Sequence, residues 1–213
     1  MTRLSRKEKQ AHTRACLMQS AATVFARRGL QQASIDEVAE DAGFTKGAFY
    51  ANFKSKEELF LAMLDERFAK RIEDIERVIA DEGDPAEKAR RAGDEFVRQL
   101  SADREWERLF FEFCAYAARD EEFRDELVTR YRAMRERIAA ALSAHSEDLG
   151  KEHTLPFDQV ALMTSVMANG FALEKLLEGD ALPDDVYGTM LMVFFAGLDA
   201  LTAGSVARPD ASS

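Results

Sequence analysis

Apolar residues recur along most of the chain at spacings of three and four, the repeat of an α-helix, and nowhere in the strict alternation of a half-buried strand. Met18, Ala21, Ala22 and Phe25 share one face of a helix expected over residues 10–28, which Gly29 and Leu30 bring to a stop. Ile35, Val38, Ala39 and Ala42 line a second, short amphipathic stretch. Gly43 behind it permits the positive φ that turns the chain sharply out of a helix. Leu59, Phe60, Met63, Leu64, Phe68, Ile72 and Ile75 mark a long helix from Ser55 towards Gly83. Asp84-Pro85-Ala86-Glu87 then reads as a helix start, with an acidic cap, proline in the first turn and glutamate behind it. Further helices are expected over 106–118, 121–144, 157–177 and 184–201, with a polar loop at 146–155 and a frayed tail at 207–213. The pattern predicts an all-α chain of about nine helices.

Residues 34–59 carry the most specific signal. Ser34 with Glu37 and Ser55 with Glu58 form two capping boxes in tandem, and Thr45 caps a short helix between them. On a wheel of residues 46–54, Phe49 and Phe53 fall on the side that buries against Val38. Gly47, Tyr50, Ala51 and Lys54 fall opposite, with Ala48 at the flank. A face so small allows close approach to base edges, and an alanine methyl suits a thymine methyl. Tyr50, Lys54 and Lys56 are donors for phosphate, and the helix starts at Ser34 and Thr45 offer backbone N–H groups to further phosphates. These features read as a helix-turn-helix with a recognition helix; the alternative is a helical hairpin with solvated basic residues.

Charge favours the first reading. Residues 1–56 hold ten Lys and Arg against five Asp and Glu, a net of +5 on a chain whose total is −10. A basic first quarter on an acidic protein is the footprint of one phosphate-binding end.

The stretch Phe25-Ala-Arg-Arg-Gly-Leu, followed by the run from Ser34 to Phe60, resembles the N-terminal domain of the tetracycline-repressor (TetR) family of bacterial transcriptional regulators. The likeness covers roughly residues 10–65, with glycines, aromatics and the closing lysine in register. Asn52 departs from it, standing where many members carry histidine. The residues expected to meet double-stranded DNA are Ser34, Thr45, Lys46, Gly47, Ala48, Tyr50, Ala51, Asn52, Lys54 and Lys56. The resemblance implies a three-helix DNA-binding domain over 1–54 and a helical effector-binding and dimerisation domain over 55–206.

Composition narrows the rest. Cys16 and Cys114 have no metal spacing and read as reduced thiols. His12, His145 and His153 form no Glu-x-x-His or His-Glu-x-x-His motif, and there is no glycine-rich phosphate loop, so no metal, cofactor or catalysis is expected. A di-iron or zinc helical-bundle enzyme is the remote alternative. The N-terminus has no apolar signal core and no apolar run approaches a membrane span, which reads as cytoplasmic.

The last two helices are apolar on more than one side. Val160, Met163, Met190, Phe194, Leu198 and Leu201, with the small Gly197, are expected at the interface of a homodimer built as a two-fold four-helix bundle. Two protomers would present recognition helices one DNA turn apart, about 34–36 Å, to a palindromic operator. Trp106, Phe110, Phe113 and Tyr116, faced by Phe68, Tyr131, Met134, Met167 and Phe171, are candidates for the wall of a pocket for a small hydrophobic effector. Such stripes are also what a packed core looks like, and a regulator answering no effector is the alternative.

Overall fold

A computed structural model of the chain describes residues 5–148 and 154–204. Nine α-helices occupy them: α1 (Arg6–Gln32), α2 (Ile35–Asp41), α3 (Lys46–Tyr50), α4 (Lys56–Ala80), α5 (Pro85–Ala102), α6 (Arg104–Ala117), α7 (Glu121–Asp148), α8 (Phe157–Glu178) and α9 (Val186–Thr202). The described residues contain no strand. The expected tail at 207–213 and His153 lie outside the described residues.

Helix starts follow the capping chemistry except at α8 and α9, which have no side-chain cap. Ser5 and Glu8 form a capping box absent from the sequence reading, and α1 therefore begins well before residue 10. Gly29 interrupts α1 at φ 73°, as its position predicts, but a further turn runs on to Gln32. The Asp84 carboxylate accepts the Glu87 N–H at 3.0 Å, and Asp103 accepts the Trp106 N–H at 3.1 Å. α7 continues through Asp148, into the stretch expected as a polar loop.

The helices form two compact units. One takes the chain up to Phe68 together with Asp103–Arg130; the other takes Ala69–Ala102 and the chain from Tyr131 onward. α4 and α7 each contribute to both.

In the first unit α1 packs on α2 and α6. Phe60 stacks on Phe113 (ring centroids 3.4 Å apart) and on Trp106 (5.5 Å), with Phe25 edge-on to Phe113. Leu17, Ala21, Val24, Leu59 and Leu64 are likewise buried. Cys114 lies on α6 in this unit, and burial pushes its thiol up to about 11, so it is protonated and unreactive at neutral pH.

In the second unit α5 and α9 cross with backbones almost touching. A Cβ on Gly93 would stand 2.4 Å from the Gly188 Cα, and one on Gly188 would stand 3.0 Å from the Arg90 carbonyl. Gly93 admits no Cβ without a shift of the facing backbone, and at Gly188 one would be tight. The turn between α8 and α9 is held by buried Lys175, which donates to the Leu182 carbonyl and the Asp184 carboxylate, both at 2.7 Å. By length and composition alone α8 qualifies as a possible membrane span, with a mean hydropathy of 1.3 over its most apolar window, which corrects the expectation that no run approaches one. Its apolarity is divided between a buried side (Val160, Ala161, Ala168, Phe171) and an exposed one (Leu162, Met163, Val166, Leu173, Leu177).

Candidate DNA interface and effector cavity

The helix-turn-helix is assembled by short, local bonds. Ser34 and Glu37 exchange both capping bonds, each 3.1 Å, at the start of α2. The Glu37 carboxyl is held below its usual range chiefly by the Ser34 N–H. Gly43 leaves α2 at φ 74°, with its N–H on the Glu40 carbonyl and the Phe44 N–H on that of Ala39. Thr45 then accepts the Ala48 N–H at 3.2 Å and starts α3. Ser20, buried on α1, places its hydroxyl 2.7 Å from the Asp41 carboxylate and 3.0 Å from the Val38 carbonyl, fixing α2 on α1. The sequence reading missed Ser20, whose only signal is a polar residue on an apolar face.

α3 is a single turn and a half. Phe49 is fully buried and Phe53, just beyond the helix, is 1% exposed, as the wheel predicts. Gly47, Tyr50, Ala51 and Lys54 are exposed and Ala48 is half-buried. A Cβ on Gly47 would meet nothing closer than the Thr45 hydroxyl at 3.7 Å. Packing therefore does not require glycine there, whereas a surface pressed against this face would.

Three expected phosphate or backbone donors are otherwise engaged. The Lys56 ammonium lies 2.5 Å from the Leu30 carbonyl and 3.4 Å from those of Gln31 and Ala33, spending its three protons on the end of α1. The Asn52 side chain turns inward and donates to the Ala48 carbonyl at 2.8 Å, while the Asn52 main-chain carbonyl accepts from Arg14, whose guanidinium covers the Phe53 ring. Lys46 is exposed but paired with Asp36 at 2.8 Å. The second capping box is altered: Ser55 accepts the Glu58 N–H, but the Glu58 carboxylate reaches the Lys54 N–H at 2.7 Å. Lys54 is exposed, and its ammonium makes no ion pair or hydrogen bond among the described residues.

The expected pocket is not assembled as read. Trp106, Phe110 and Phe113 are buried in the first unit, Trp106 and Phe113 stacked on Phe60. Tyr116 donates to Asp120 at 3.0 Å, and Phe68 is half-buried in the same unit. Glu112 accepts the Leu30 N–H at 2.7 Å behind the break in α1. The aromatic stripe of α6 is core because α1 and α4 supply aromatic partners for it.

A cavity of about 500 Å³ lies instead wholly within the second unit, walled by α4, α5, α7, α8 and α9. Of the residues expected in a pocket, only Met134 lines it. Phe171 stands behind the wall, its ring 5.2 Å from that of Tyr187, and Tyr131 and Met167 lie elsewhere. The lining is mainly aliphatic and aromatic, with Ile75, Ile138, Leu142, Leu191, Phe96 and Phe195, and a few polar groups on it. That composition suits a small apolar ligand. Among the described residues no three histidine, cysteine or carboxylate side chains converge as metal ligands would.

The expected interface residues divide as well. Val160 and Leu198 are buried and line the cavity, because the inner faces of α8 and α9 take them. Met163 and Gly197 are exposed, and Met190, Phe194 and Leu201 are half-buried. Met190 and Phe194 join Met167 and the exposed Val193 in a shallow apolar groove on the surface.

The profile of bacterial regulatory proteins of the tetR family matches residues 17–63, and that of the C-terminal region of BetI-type transcriptional repressors matches residues 85–200, more than half of the chain. The HTH-type transcriptional activator FasR of Mycolicibacterium smegmatis is 33% identical over 110 residues, 52% of this chain and 48% of FasR. The HTH-type transcriptional regulator TtgR of Pseudomonas putida is 41% identical over 59 residues, 28% of each chain. The matches thus span about half or less of these relatives. Among solved structures, a putative TetR-family regulator from Mesorhizobium loti superposes with a TM-score of 0.73 at 18% identity, covering 93% of this chain and 98% of that one. FadR from Bacillus subtilis, in complex with stearoyl-CoA, does so at 0.68 and 16%, covering 89% and 98%. At such identities the superpositions speak for the fold. With both profiles in register on the helix-turn-helix and on the helices behind it, the chain belongs to the TetR family of bacterial regulatory proteins.

Proposed function

We propose that the protein is a homodimeric repressor, acting in the cytoplasm, that leaves a palindromic operator when a small apolar effector fills its cavity. Residues 1–54 carry the DNA contacts, and residues 55–206 carry the effector and dimer contacts. One observation carries the DNA reading above the others. The outward face of α3 and the residues after it is small at Gly47 and Ala51 and carries the exposed Tyr50 and Lys54. Tyr50 and Lys54 position the helix on phosphate, and the small residues admit it to the major groove.

The dimer rests on the outer faces of α8 and α9. Leu162, Met163, Val166, Leu173, Leu177 and Val193 are each at least 39% exposed, and a Cβ on Gly197 would meet nothing within 4 Å. A second copy on this surface would bury it around a two-fold axis and supply the paired recognition helices that a palindrome requires.

Release follows by linkage: an effector that prefers a conformation with wrongly spaced recognition helices weakens DNA binding, and DNA weakens effector binding by the same factor. α4, which contributes to both units, is the connecting element. Repression is favoured because the profile matched by residues 85–200 is that of repressors, while the relative FasR is an activator. That FadR holds stearoyl-CoA supports a fold able to house a small-molecule ligand.

Selection of bound duplexes from a random pool tests the proposal. It predicts an enriched inverted repeat, with half-sites about one helical turn or a multiple apart and two protomers or a multiple of two per site. Enrichment of a lone asymmetric motif at one protomer per site would contradict it.

A further inference from the structure

The cavity wall is largely apolar, yet three of its buried or half-buried polar groups have no hydrogen-bond or ion-pair partner among the described residues. Ser165 and Tyr187 are 8% and 3% exposed. Neither hydroxyl is hydrogen-bonded, and neither oxygen is sealed off, so the space they reach is the cavity they line. The third group is Arg71. Its guanidinium lies 4.2 Å above the Phe96 ring and touches no carboxylate or carbonyl.

The other charges of the wall are compensated or exposed. Gln99 donates to Asp74 and to Glu95, each at 3.0 Å, and these carboxylates also pair with Arg77 and Arg98. Lys88 donates to the Ile79 and Asp81 carbonyls at 2.7 Å. Glu82 and Asp199 are exposed to water. Arg71 is half-buried, and a charge partly removed from water gains most from a counter-charge.

Arg71 and Tyr187 share one aromatic shelf. The Phe96 ring beneath Arg71 is 4.9 Å from the Tyr187 ring. Burial raises the Tyr187 pKa, with the Arg71 charge opposing the rise, so the phenol is a protonated donor at neutral pH. A guanidinium and a hydroxyl, both donors, beside an apolar cavity match an anionic head on an apolar body.

We propose that the effector is an amphipathic monocarboxylate, its head held by Arg71 and Tyr187 and its tail lying in the cavity. Ser165 offers a further polar contact on the wall. A coenzyme A thioester fits less well: it has no carboxylate at the acyl end, and its phosphates would meet the exposed carboxylates of Glu82 and Asp199. The proposal rests on the cavity being the effector site.

Calorimetric titration of the full-length protein with decanoate, decanol, decyltrimethylammonium and decanoyl-CoA tests it. Decanoate is expected to bind about tenfold or more tighter than decanol, as charged hydrogen bonds do. Arg71→Gln should erase that margin, Arg71→Lys should keep part of it, and Tyr187→Phe should lower decanoate affinity several-fold. Ala92→Phe, or Leu142→Trp if that variant does not fold, fills the cavity and should abolish binding. Equal affinity for decanol, preference for the ammonium or the thioester, or no binding by any probe would overturn the carboxylate assignment. If a probe other than decanoate binds best and the filled cavity abolishes it, the cavity stands as the effector site. Binding undiminished by a filled cavity would take down both readings.

Discussion

At the scale of single residues, the two lysines that close the helix-turn-helix do different work despite lying two positions apart. Lys54 is exposed with an ammonium unpaired among the described residues, while Lys56 spends its protons on the last carbonyls of α1. Lys54→Ala should lower affinity for all duplexes and flatten the dependence of log K on log salt by about one unit. Tyr50→Ala should also weaken binding to all sequences. Lys56→Ala should instead cost about 1–3 kcal/mol of stability, by leaving part-buried carbonyls unsatisfied, and keep the salt slope. Denaturant titrations beside salt-series anisotropy separate the cases, and a slope unchanged in Lys54→Ala would remove Lys54 from the phosphate contacts. The glycines divide in the same way. Gly43 sits at φ 74°, so Gly43→Ala should destabilise by about 1–2 kcal/mol. Gly47 has room for a Cβ, so Gly47→Ala should melt like the parent yet bind DNA more weakly. Equal affinity for the parent and Gly47→Ala would mean that no surface approaches this position.

At the scale of elements, what the sequence revealed depended on how local the physics was. The capping residues Ser34 and Thr45, the turn at Gly43 and the buried pair Phe49 and Phe53 act within a few positions of themselves, and each was readable in one dimension. The α6 aromatics were not. Their spacing declares an apolar face, but whether Trp106 and Phe113 meet a ligand or Phe60 depends on residues about fifty positions away. Val160 and Leu198 failed for a related reason, since a helix apolar on two sides does not say which side faces inward. Gly93 and Gly188 gave no signal at all, because a close helix crossing is a property of the pair. Gly93→Ala should force α5 and α9 apart and cost about 1–3 kcal/mol, as overpacking of a tight contact does. It should also disturb the cavity that both helices line. A melting temperature equal to the parent's would show that the crossing relaxes freely.

At the scale of the whole molecule, the acidic total charge and the basic first quarter suit the proposal that the N-terminal residues meet nucleic acid. The exposed apolar surface on α8 and α9 is the part that a protomer alone leaves unexplained. Val166→Glu, at a side chain 61% exposed, should leave the fold intact and shift the dimer towards monomer in sedimentation equilibrium, lowering operator affinity with it. A Val166→Glu protein that stays dimeric would place the interface elsewhere. The claim on which the rest depends is that the N-terminal end reads DNA. Fluorescence anisotropy with duplex from the region upstream of the protein's own gene, against random duplex and across a salt series, tests it most directly. The account predicts tight, salt-dependent binding that favours the upstream duplex and saturates at two protomers, or a multiple of two, per site. Absence of binding to either duplex, even at low salt, would contradict it.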